Sequence, residues 1–177
     1  PFLGSSYLSA ALGTGEDAVD VRSVMDERGV LLVDLASTQI GTAPAQLLGE
    51  LWLIKHWDAL AQRKNRRPHL LVVDECQLFA AGTLPRLIAE GRKFGIGCVV
   101  AHQHMAQLDG RLAEAVKANA SSLVAFRCGT TEAAQAAARL GDWSGPPLTR
   151  LPNLVAAATL SLASQQTEPF TLRVDHN

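Results

Sequence analysis

Two adjacent carboxylates, Asp74 and Glu75, close the apolar run His69-Leu-Leu-Val-Val. Other polar groups stand in comparable places. Asp34 lies near the end of an apolar run at 30–35, and His102, Gln103 and His104 follow another at 97–101. Phosphoryl transfer from a nucleotide calls for such a set. One carboxylate binds Mg²⁺, directly or through water, a second orients the attacking water, and a neutral amide reports on the terminal phosphate. Asp74, Glu75 and Gln103 are residues of those types. The same chemistry needs a Gly-x-x-x-x-Gly-Lys-Ser/Thr loop to cradle the phosphates, and the 177 residues contain none. Gly13-Thr-Gly15 lacks both the lysine and the spacing. The bland alternative for Asp74-Glu75 is a strand running into a loop whose acids face water.

The groups need strands that end side by side, because ligands of open α/β sheets bind beyond the carboxyl ends of the strands. Short apolar, β-branched runs predict buried parallel strands at 30–35, 70–74, 97–101 and 123–127. Helices are expected between them. One starts at Thr42, with Pro44 in its first turn, and runs to about residue 64, with Leu47, Leu48, Leu51, Ile54 and Trp57 at helical spacing. Others are expected at 84–94, closed by Gly95, at 111–119, and at 132–140, capped by Thr130 or Thr131. A turn or two of helix is expected within 20–28, and a short one near 7–12. Strands alternating with helices imply a parallel sheet covered on both faces. The tail reads differently: 142–152 is loop-like, and 154–162 with 170–174 forms an antiparallel hairpin. The expected organisation is one partial domain over 1–177, with a lead-in at 1–20, an α/β core at 30–141, and a loop and hairpin at 142–177.

Composition narrows the class. The chain is 47% hydrophobic and 19% charged, ordinary for a globular protein. A net charge of −1 gives no bulk attraction to nucleic acid. Cys76, Cys98 and Cys128 are odd in number and lack zinc spacing, which points to a reducing compartment without a disulfide framework. No run approaches the roughly 20 apolar residues of a membrane helix. The opening at Pro1, without an initiator Met, fits a fragment or a processed product. Arg63, Lys64, Arg66 and Arg67 form the densest basic cluster, read first as a solvated helix end and second as a phosphate or subunit contact. His102 and His104, two apart, would point to opposite sides of an extended chain and do not suggest a metal pair.

An ordered set of segments adds to this reading. Asp74-Glu-Cys-Gln-Leu-Phe79 is followed by Leu87-Ile-Ala-Glu-Gly-Arg-Lys-Phe-Gly95, Val99-Val-Ala-His-Gln103 and Gln107-Leu108. The set resembles the motor domain of the HerA/FtsK superfamily, and most of all the TraG/TraD-type conjugative coupling proteins of type IV secretion. Met25-Asp-Glu-Arg-Gly-Val-Leu-Leu-Val-Asp-Leu35, Val124-Ala-Phe-Arg127 and Pro169-Phe-Thr-Leu-Arg173 match more loosely. The resemblance implies a RecA-like parallel sheet whose first strand and Walker A loop are missing from this sequence. The gap would fall between the strands at 97–101 and 123–127. It implies Asp74 as the Mg²⁺-linked Walker B acid, Glu75 as the base or water orienter, and Gln103 as the sensor of the γ-phosphate. Arg92 takes the place of an arginine finger reaching a neighbouring subunit's nucleotide. It further implies ATP and Mg²⁺ as cofactors and a ring, a hexamer, that moves DNA. Secretion-system or relaxosome proteins would be partners, in the cytoplasm or at the inner face of the plasma membrane. The polypeptide alone is expected to turn over negligible ATP. Two rival readings stay open: a relative serving secretion or DNA processing instead, and a non-catalytic α/β scaffold.

Overall fold

The apolar run ahead of Asp74 is a strand, β1 (His69–Val73), and it pairs in parallel with β2 (Ile96–Val100), His69 opposite Ile96 through Val73 opposite Val100. This is seen in a computed structural model that describes residues 18–63, 65–79, 82–163 and 165–175. The expected helix near 7–12 lies outside those residues. The chain divides into two compact units, Pro1–Ala118 and Asn119–Asn177.

In the first unit, α1 (Val21–Asp26) starts where Asp20 accepts the backbone N–H of Arg22. After α2 (Ser37–Ile40) comes the long helix α3 (Thr42–Gln62), then β1, the 3₁₀ turn Cys76–Phe79, and α4 (Thr83–Glu90). A second 3₁₀ turn, Gly91–Phe94, leads into β2, and α5 (Gly110–Asn119) follows. Gly95 has φ +80, and a Cβ there would lie 2.8 Å from the Arg66 carbonyl oxygen, so the turn into β2 requires glycine.

The buried stripe of α3 differs from the expected one. It is Ala45, Gly49, Leu53, His56, Ala59 and Leu60, while Ile54 is exposed. Small residues take the inner face because the ring of Phe79 comes down on the helix at Gly49. Met25, Leu84, Leu87 and Cys76 are among the other buried side chains of this unit.

The fold class is α/β, but among the described residues the parallel element is one pair of strands. Residues 30–35, expected as a strand, carry no strand pairing and leave Val30 86% and Leu32 88% exposed. An apolar run becomes a strand only where a neighbour meets its N–H and C=O groups. Here the Asp34 carboxylate instead accepts the N–H of Ala36, which turns the chain towards α2. Among the described residues, helices on both faces of the sheet are not found either. Leu71, Val73 and Ile96 are buried on one face, whereas Leu70, Val72 and Val99 are exposed on the other.

In the second unit, residues 123–127 were expected to continue the parallel sheet. Instead β3 (Leu123–Ala125) runs antiparallel to β4 (Val155–Thr159), which pairs antiparallel with β7 (Phe170–Arg173). The expected hairpin is therefore present, and it captures β3 because the chain after α6 (Thr130–Leu140) brings β4 back beside it. A small hairpin, β5 (Ser161–Leu162) with β6 (Gln165–Gln166), sits in its connection. Leu140, Leu148, Leu151 and Ala157 form the core under α6. Among the described residues, no helix is long and apolar enough to cross a membrane.

Candidate functional site

The ladder of β1 and β2 continues past both strands and sets the site. Ala101 N–H donates to Val73 O at 3.0 Å, and Cys76 N–H donates to Ala101 O at 2.9 Å. These bonds lay residues 74–76 and 101–103 against each other at the carboxyl ends of the strands. Cys76 is fully buried and anchors the turn from below. Glu75 has φ +48, in the left-handed region that non-glycine residues seldom adopt. Its backbone N–H is held at 2.9 Å by Asp74 Oδ1.

Glu75 and Gln103, 28 residues apart, meet directly: Gln103 Nε2 donates to Glu75 Oε1 at 2.9 Å. The other carboxylate oxygen, Oε2, accepts from Gln77 Nε2. The amides of Gln103 and then Gln77 hold the Glu75 carboxyl below the usual carboxylate range. Gln77 went unnoticed in the sequence, although its place two residues beyond Glu75, at the start of a tight turn, is a signal that could have found it.

Asp74 is exposed at the same edge. Among the described residues there is no group of three or more His, Cys, Asp or Glu side chains able to cage a metal ion. One exposed acid at a strand end suits Mg²⁺ that keeps its waters and arrives with phosphates, and does not suit a protein-caged ion. Asp34 is not part of this edge through any strand, since its carboxylate closes its own turn.

Arg92 lies elsewhere. It is exposed on the 3₁₀ turn Gly91–Phe94, at the start of β2, whereas Gln103 follows the end of β2. The five residues of β2 separate the two by about 16 Å of strand. Two contacts hold the turn that bears Arg92, and a third backs the indole that one of them uses. Phe94 meets Trp57 of α3 edge-on, with ring centroids 6.1 Å apart. Arg86 stacks over that indole, 3.8 Å from the ring centroid. Arg63 Nη1 donates to Phe94 O at 3.0 Å.

Arg63 corrects the reading of the basic cluster as a solvated helix end. Its side chain is 2% exposed, pairs with Asp26 at 3.2 Å, and also donates to Arg67 O at 2.5 Å. The guanidinium thereby ties α1, the end of α3 and the approaches to β1 and β2 together. Lys64 lies outside the described residues; Arg66 and Arg67 are exposed.

Burial pushes the Cys76 and Cys98 thiols up to about 11, so neither is a ready nucleophile at neutral pH. In the second unit, a cleft of about 440 Å³ is lined by Phe126, Arg127, Pro152, Asn153 and Leu154. Arg127 Nη2 donates there to Asn153 Oδ1 at 2.8 Å.

No curated protein matches the chain. Residues 68–143 match a family model described as the TraM recognition site of TraD and TraG. The match takes in β1, the Asp74-Glu75 edge, the Arg92 turn, β2, Gln103 and α6, and it covers less than half of the chain. That segment supports a likeness to the TraG/TraD type of conjugative coupling protein.

Proposed function

We propose that the chain is part of a RecA-like motor domain that couples ATP hydrolysis to DNA transport in conjugation, through type IV secretion. The observation that carries this reading is the Glu75–Gln103 hydrogen bond at the carboxyl ends of two parallel strands. It joins the proposed water-orienting acid to the proposed phosphate sensor. Asp74 would hold Mg²⁺ through water, and a bound Mg²⁺·ATP would supply the reacting phosphoryl group with its charge partly neutralised. Glu75 orients and deprotonates the attacking water. Gln103, already bonded to Glu75, can report a terminal phosphate to that acid by changing partner. Arg92, at the far end of β2 from Glu75, would serve a neighbouring subunit of a ring. The phosphate loop must come from residues other than these 177.

The test is ATP turnover by a form of the protein that includes a phosphate loop. Glu75→Gln should abolish turnover while leaving nucleotide binding in place. Turnover that survives Glu75→Gln and Gln103→Ala together rules the reading out.

The description of the matched family favours a second role on the same segment: recognition of the relaxosome protein TraM by residues 68–143. A non-catalytic docking module needs no phosphate loop. Binding of TraM that persists in Glu75→Gln, in a protein without ATP turnover, would favour this role over the motor.

A further inference from the structure

We propose that Gln77 is the fixed positioning residue for the Glu75 carboxylate, and that Gln103 is its exchangeable partner. The inference rests on the motor reading above for its catalytic consequence, but its structural content stands on the geometry. Both carboxylate oxygens of Glu75 are engaged by amide donors, Oε1 by Gln103 and Oε2 by Gln77. The two amides differ in how they are held. Gln77 sits on a 3₁₀ turn pinned by the buried Cys76 and Phe79, and its own Oε1 is buried without a hydrogen-bond partner. Turning the amide over would set that oxygen against the carboxylate, so the ionised Glu75 fixes which way the amide faces. Gln103 is exposed, on a bend beyond β2. A ligand can therefore draw Gln103 away without unpacking anything, whereas releasing Gln77 requires the buried turn to move. With Gln103 gone, Oε1 faces outward to accept a proton from water, and Gln77 still fixes the plane of the carboxylate.

The side-chain amide resonances of the 177-residue chain test this. Gln77 and Gln103 amide protons should both shift upfield in Glu75→Ala. Gln103→Ala should leave the Gln77 signal in place. Gln77→Met, which keeps the stem and removes the donor, should preserve the fold, and Gln77→Ala gives a second variant should Met disturb packing. A Gln77 amide signal that ignores Glu75→Ala overturns the proposal whatever the enzyme does. In the phosphate-loop-containing protein, Gln77→Met should lower kcat about a hundredfold with KM for ATP little changed. If that protein shows no Glu75-dependent turnover, the motor reading fails and the resonances still decide the positioning of Glu75.

Discussion

The ring of Phe79 occupies the space that a side chain on residue 49 would need. A Cβ built on Gly49 would lie 2.2 Å from Phe79 Cε1. α3 and the turn that follows the Asp74-Glu75 edge are thus keyed to each other through a missing methyl group. Gly49→Ala should gain about 1 kcal/mol of helix propensity. Against this, displacing the ring costs about 1–3 kcal/mol of overpacking. The expected outcome is a lower urea midpoint at unchanged m-value. Amide shifts for 75–79 should change with it, because the displaced ring drags the turn.

Arg63 is a buried clasp, and its removal should show it. Arg63→Met strands the half-buried Asp26 and leaves the Phe94 and Arg67 carbonyls without their donors. A loss of about 3 kcal/mol in denaturant unfolding is expected. Arg63→Lys should recover little, because one ammonium does not reproduce a fork that serves three acceptors.

Two histidines set an acid-side dependence. Burial holds the His56 imidazole below its ordinary 6.5, partly offset by the Nδ1–H bond to the Trp52 carbonyl at 2.7 Å. His69 is lowered by burial and by the charges of His56 and Arg63, with the two imidazole rings 6.4 Å apart. The unfolded chain binds protons that these folded groups do not, so stability should fall as pH drops below about 6.5. His69→Gln should flatten that slope in thermal melts between pH 7 and pH 5, because one of the two linked titrations disappears. Glu75 acts lower. Its carboxyl is held below the ordinary 4.5, so its contribution is present above that value and is lost as pH falls through the depressed one.

Arg92 should behave as a group that works between subunits. In the phosphate-loop-containing protein, Arg92→Ala and Glu75→Gln should each be inactive alone. Mixing them should restore part of the turnover, since a ring then contains intact Glu75 facing intact Arg92. A mixture as silent as its components would remove Arg92 from the reaction.

The grouping of polar residues at the strand ends was legible in the sequence because its signal is local: an apolar run, two acids, and an amide after the next run. The ladder bonds at Val73, Ala101 and Cys76 then decide that 74–76 and 101–103 meet. Arg63 was misread because charge clusters show nothing of its acceptors, two of which, Asp26 and the Phe94 carbonyl, come from distant segments. The inner face of α3 was misread because large apolar residues drew attention from Ala45 and Gly49, where smallness is the packing signal. Residues 30–35 have the composition of a strand but find no strand beside them, and 123–127 pair with a segment some thirty residues later, which no local pattern encodes.

The exposed face of the β1–β2 pair has a practical consequence. Leu70, Val72 and Val99 lie open on one side of the sheet, and Val30 and Leu32 add further uncovered hydrocarbon in the same unit. A net charge of −1 and a pI near 6.6 supply little colloidal repulsion at neutral pH. The polypeptide should therefore be least soluble just where it is usually handled. Buffers well above its pI, and mild detergent or arginine, are the conditions in which it will stay dispersed.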